Sequence, residues 1–149
     1  MTLKKPIIIF VPGFWEGPRV FDRVRTTLAS HGYPTQAVTT ACTGKTSSSG
    51  LTIDDDVAAV RALVEPIVEA GQEVLMVLHS AGGFIGSAAL KGLCAPQRKE
   101  EGKIGGVTHI LFLCAGVVDQ YQDVPEPPFL VFSDDVSTCV SSEATSNFR

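Results

Sequence analysis

No run of apolar residues in this chain approaches the ~18 that a membrane-crossing helix needs, so no span and no membrane partner are expected. The four cysteines, Cys42, Cys94, Cys114 and Cys139, form no Cys-x-x-Cys pair and have no histidine at zinc-ligand spacing, which argues against a metal. Cys114 lies inside an apolar run, where a cysteine usually acts as a small buried hydrophobe. Basic residues are in the minority, 12 Lys and Arg against 16 Asp and Glu, and they are scattered. Nucleic acid, which demands a basic stripe, is therefore not an expected partner. The dinucleotide fingerprint Gly-x-Gly-x-x-Gly is missing after the first apolar run. Gly44-Lys45-Thr46 resembles the end of a phosphate-binding loop, yet position 39 is threonine where that motif needs glycine. No cofactor is expected. Lys4 and Lys5 ahead of Ile7 to Val11 imitate a signal peptide, but the run is short, flanked by Pro6 and Pro12, and followed by no small-residue cleavage site. The expected location is the cytoplasm.

What is present suits one buried core, since 149 residues carry 44% hydrophobic content. Pro6 to Val11 and Val74 to Leu78 are short, almost wholly apolar runs, the mark of strands covered on both faces. Thr35 to Thr39 reads as a short strand, and Val107 to Val118 contains a fourth. Between the strands lie helical patterns. Pro18 to Ala29 carries Val20, Val24 and Leu28 at helical spacing, and Ala81 to Leu93 is rich in small residues. Thr52-Ile53-Asp54-Asp55 approximates a capping box before the stripe Ile53, Val57, Val60, Val64, Ile67 and Val68. Lys99 to Lys103 reads as a charged surface loop. Alternating strands and helices imply right-handed crossovers, hence a three-layer α/β/α sandwich with a parallel sheet in the order 2-1-3-4. The core is expected to span residues 1–119. Residues 120–149, rich in Pro, Ser and Thr, are expected to form a poorly ordered tail.

The segment that carries chemistry is Leu78-His79-Ser80-Ala81-Gly82-Gly83, where an apolar strand runs straight into a serine, small residues and a helix. A nucleophile elbow has this form, because its turn is strained and bulky neighbours would clash with strand and helix. Gly-x-Ser-x-Gly is met in part, with Leu78 at the first glycine position and Gly82 at the second. The bland alternative is a helix N-cap, where serine is favoured. Phe10-Val11-Pro12-Gly13-Phe14-Trp15 adds a glycine turn after the first strand, where half of an oxyanion hole would sit. Its donors would be the backbone N–H groups of Phe14 and Ala81. Phe14 and Trp15 could equally be core or cleft packing.

Five stretches together resemble the α/β-hydrolase superfamily, in particular fungal relatives of the hydroxynitrile lyase and methyl esterase branch. They are Val11-Pro12-Gly13-Phe14-Trp15, Thr52-Ile53-Asp54-Asp55-Asp56, His79-Ser80-Ala81-Gly82-Gly83, Phe84-Ile85-Gly86-Ser87-Ala88 and His109-Ile110-Leu111-Phe112-Leu113. The resemblance implies a parallel sheet, a serine nucleophile, no metal or organic cofactor, and small ester or related carbonyl substrates. It also implies a cap and further strands carrying a triad acid and histidine, before which this chain stops.

The histidines are His31, His79 and His109. A general base must come within about 3.2 Å of the serine oxygen or act through one water. His31 and His109 are expected at the wrong ends of their elements, and His79 is expected to point away from the nucleophile into the surrounding shell. Asp119 follows the fourth strand, Asp134 and Asp135 sit in the tail, and Asp54 to Asp56 suit a helix start, so none is assigned to catalysis. Two functions follow. One is a serine hydrolase of esterase type with Ser80 as nucleophile. The other is a truncated, inactive homologue that binds a small ligand or a partner, with self-association through the exposed fourth strand.

Overall fold

β-Branched residues buried on both sides make Ile7–Val11 the first strand, β1, in a computed structural model that describes residues 5–45 and 50–117. A 3-10 turn (Pro18–Phe21) leads into α1 (Asp22–Ser30), followed by β2 (Thr35–Ala37), α2 (Ile53–Glu69) and β3 (Glu73–His79). Two short helices, α3 (Gly82–Ala88) and α4 (Ala95–Glu100), precede β4 (Gly106–Leu113). All strand pairs are parallel and the order is β2-β1-β3-β4, as the alternation of elements predicts. The assignments to residues 118–149, including the tail, Asp119, Asp134 and Asp135, lie outside the described residues.

Each strand feeds two cores because neighbouring side chains point to opposite faces. Ile9 and Val11 of β1 join Val74, Met76 and Leu78 of β3 under Val60, Val64 and Val68 of α2 and Ile85 of α3. On the other face Ile8, Phe10 and Val77 meet Phe21, with Leu28 and Tyr33 packed against them. Helix α2 starts where the capping box places it, with Asp55 Oδ2 accepting the Thr52 N–H at 2.7 Å. Asp56 turns inward instead and accepts the Cys42 N–H at 2.8 Å, tying the loop after β2 to the helix. Burial, and then the Asp56 carboxylate, push the Cys42 thiol up from its ordinary range.

Four expectations need correction. The helix expected over Pro18 to Ala29 opens as a 3-10 turn, which advances ~120° per residue and turns Phe21 inward. Val20 and Val24 stay exposed in consequence, and only Leu28 of that stripe packs on the core. The helix expected over Ala81 to Leu93 stops at Ala88. Part of the presumed surface loop is α4, begun by Pro96 in its first turn, where a missing N–H costs nothing. Its Arg98 is buried. That guanidinium donates to the carbonyls of Val68 at 3.1 Å, Ile104 at 3.3 Å and Gly105 at 3.3 Å, and to Glu69 Oε1 at 2.7 Å. Cys114 is exposed rather than buried, on a left-handed turn at φ +46° after β4.

At β4 the outward residues Leu111 and Leu113 are 55% and 46% exposed, in register with the buried Val77 and with His79 of β3. Among the described strands β4 pairs with β3 alone, apart from one isolated bridge from Val107 to Cys94. No helix of the described residues is long and apolar enough to cross a membrane.

Candidate functional site

Strand β3 ends at His79 and α3 starts at Gly82, so the chain must reverse within two residues, and Ser80 takes the strain. Its φ is +53°, a left-handed conformation that costs a non-glycine residue about 1 kcal/mol or more. An N-cap serine would be extended, whereas Ser80 is left-handed and the residue that caps α3 is Ala81. The Ser80 carbonyl accepts the N–H groups of Gly83 at 3.1 Å and Gly116 at 3.2 Å, which fixes the turn between α3 and the segment leaving β4. The Ser80 side chain is exposed at the carboxyl end of the sheet, between β1 and β3, where strand order reverses.

Close approach dictates the small residues around it. A Cβ on Gly82 would stand 2.5 Å from the Val11 carbonyl oxygen and 2.7 Å from that of Pro12. One on Gly83 would meet the Gly116 carbonyl oxygen at 2.2 Å. Helix α3 can thus seat its first turn directly on the end of β1. Gly13 lies against the elbow for the same reason, since its Cβ would fall 2.8 Å from Ser80 Cβ and 3.1 Å from Ser80 Oγ.

Two amides border this space uncommitted. Among the described residues neither the Phe14 N–H nor the Ala81 N–H donates to a protein acceptor. Ala81 is buried at the start of α3, whereas Phe14 and Trp15 are exposed, so neither ring is core packing. Trp15 itself has φ +63°.

Glu16 completes the cluster, and sequence reasoning passed over it. Its Oε2 accepts the Gly13 N–H at 2.9 Å and bonds His79 Nδ1 at 2.8 Å. An ionised carboxylate only accepts, so Nδ1 carries the hydrogen. The Gly13 amide first, and His79 with it, hold the Glu16 carboxyl below its ordinary range against the opposing effect of burial. His79 sits in the shell around the elbow, edge-on to Phe21 at 6.4 Å, and spends one ring nitrogen on Glu16.

The other histidines stand away from Ser80. His31 caps α1, its Nδ1 bonded to the Thr27 carbonyl at 2.8 Å. His109 is level with Leu75 while Leu113 is level with His79, which leaves His109 four residues below the end of β3, or about 13 Å at ~3.3 Å per residue. Among the described residues no side chain hydrogen-bonds Ser80 Oγ and no group of residues could hold a metal ion.

The sequence model described as "Alpha/beta hydrolase family" matches residues 8–143. The chain is 34% identical over 114 residues to "Alpha/beta hydrolase nvfD" of Aspergillus novofumigatus, covering 74% of this chain and 43% of that protein. It is 29% identical over 114 residues to "Probable hydrolase R7" of a Phoma species, covering 76% of this chain and again 43% of the relative. This chain therefore spans less than half the length of these curated relatives. A mutant of polyneuridine aldehyde esterase shares the fold at a TM-score of 0.63 and 17% identity, with 80% of this chain and 44% of that one aligned.

Proposed function

We propose, on the premise that this chain belongs to the alpha/beta hydrolase family, that Ser80 is the nucleophile of an esterase-type site acting on small carbonyl esters. The observation that carries the reading is the left-handed Ser80 between a strand and a helix start. That strain is kept only where the surroundings over-determine it, and it lifts the hydroxyl clear of the sheet. In the reaction, the hydroxyl oxygen attacks the ester carbonyl while its proton passes to solvent water, which returns a proton to the departing alcohol. The carbonyl oxygen gains negative charge that the Phe14 and Ala81 N–H groups receive, helped by the positive end of α3. Collapse expels the alcohol, and water later frees the acyl group. No base is engaged with Ser80 among the described residues, so turnover by this chain rests on the oxyanion site and binding, and is slow.

That same observation favours a second reading, in which the cleft above Ser80 binds a small ligand without turnover. The two part company on p-nitrophenyl acetate. The esterase reading expects Ser80→Ala to lower its hydrolysis at least about tenfold, or ~1.4 kcal/mol in barrier. Equal rates in the two proteins would leave the binding reading standing alone.

A further inference from the structure

We propose that Glu16 is a positioning residue for the Gly13–Phe14 amide loop, that His79 holds it there, and that His79 thus serves the site without acting as its base. This rests on the reading of Ser80 as nucleophile and extends it to a residue that no hydrolase motif in the sequence includes.

The loop between β1 and the 3-10 turn has little else to hold it. Trp15, within it, is left-handed at φ +63° and 92% exposed, so packing does not impose its backbone strain. The turn's own main-chain bond, Glu16 N–H to the Gly13 carbonyl, is long at 3.4 Å. Strained backbone persists only under outside constraint. Glu16 supplies that constraint from both of its ends. Its carbonyl accepts the Thr43 hydroxyl at 3.1 Å, and Thr43 is bonded to Thr40 at 2.6 Å. Its carboxylate returns to the Gly13 N–H and crosses to His79 on the neighbouring strand. One oxygen atom thus ties the start of the loop to the last residue of β3, next to Ser80.

Position and charge both matter here. The point where a Gly13 Cβ would lie is 3.1 Å from Ser80 Oγ and 3.2 Å from Glu16 Oε2. A bare carboxylate this close to the nucleophile would oppose an anion forming there. The hydrogen bonds from Gly13 and His79 spread its charge away from the hydroxyl, and the same Gly13 bond orients the next peptide, whose N–H is that of Phe14. His79 of β3 is the titratable side chain facing Glu16, while Thr43 from the loop after β2 and Phe21 beside His79 are neutral. Because the folded carboxyl binds its proton less readily than a free one, the clamp is in force at neutral pH. It opens as pH falls through a value below the ordinary glutamate range of about 4.3.

The test follows the Gly13 amide by nitrogen-15 NMR from pH 7 to 3 in the wild-type chain and in Glu16→Gln, beside the rate of Ser80 phosphonylation by a fluorophosphonate at pH 7. The Gly13 resonance should show a transition below the ordinary glutamate range in the wild type and lack that transition in Glu16→Gln. Phosphonylation should fall about 10²-fold in Glu16→Ala, the scale of a small misplacement of a reacting group. Glu16→Gln, which keeps one acceptor oxygen, should recover part of that loss. A Gly13 amide indifferent to pH in the wild type, or a wild-type labelling rate in Glu16→Ala, overturns the proposal. Should Glu16→Ala fail to fold, a wild-type rate in Glu16→Gln together with an unmoved amide overturns it equally. A wild type that takes no label removes the nucleophile reading, and the amide titration then decides on the clamp by itself.

Discussion

Gly82→Ala should destabilise this protein by at least about 3 kcal/mol, at the upper end of overpacking costs, and lower Tm by about 10 °C or more. The added methyl carbon would lie 2.5 Å and 2.7 Å from the carbonyl oxygens of Val11 and Pro12, which are backbone atoms at the end of a central strand. Neither can swing aside as a side-chain tip would. Relief requires α3 to lift off β1, and that movement carries Ser80 away from Gly13. A control separates this from a generic loss of glycine: Gly17 has open space at its Cβ position and an ordinary φ of -93°, so Gly17→Ala should stay within about 1 kcal/mol of the wild type. Thermal unfolding followed by circular dichroism reads both. A Gly82→Ala protein as stable as the wild type would mean that α3 does not start against β1 as described.

Arg98→Met is expected to cost a similar amount, about 3 kcal/mol, although methionine retains most of the apolar stem. The cost lies in what the guanidinium serves. It donates to three backbone carbonyls, at Val68 near the end of α2 and at Ile104 and Gly105 before β4. A buried acceptor left without its donor costs about 1–3 kcal/mol. The partner Glu69 is half exposed and can return to water, so its loss weighs little by comparison. Hydrogen bonding from Arg98 nevertheless holds the Glu69 carboxyl below its ordinary range. That contribution is present at neutral pH and disappears as pH falls through the lowered value, so the gap between wild type and Arg98→Met should narrow in acid. Urea unfolding at pH 7 and again near pH 3 measures it, and an Arg98→Met midpoint unchanged at pH 7 would contradict the account.

The parts of this molecule that could be read from sequence are those whose signal is local. β1 and β3 announce themselves as short apolar runs because both of their faces are covered, and a parallel sheet follows from that pattern. Thr52 and Asp55 mark the start of α2 because a capping box is closed within three residues. Ser80 stands out because an elbow needs a strand, a serine and small residues in immediate succession. What stayed hidden depends on partners far along the chain. Glu16 and His79 are 63 residues apart, and nothing in either neighbourhood announces their pairing. Arg98 stands just before the run Lys99 to Lys103 that reads as a charged surface loop, and nothing near it in sequence shows that α2 and the turn before β4 surround it. The start of α4 was legible in Pro96, a residue favoured in a first helical turn, but the charges after it masked the signal. Val20 and Val24 show the opposite case, a helical stripe defeated by a 3-10 turn that changes the phase.

The measurement that bears most directly on Ser80 is the intact mass of the purified chain after exposure to a fluorophosphonate, with the adduct mapped by peptide fragmentation. The account predicts one adduct on Ser80 in the wild type and none in Ser80→Ala. An unmodified wild type, or an adduct on another residue, would contradict the reading of this elbow as the seat of a nucleophile.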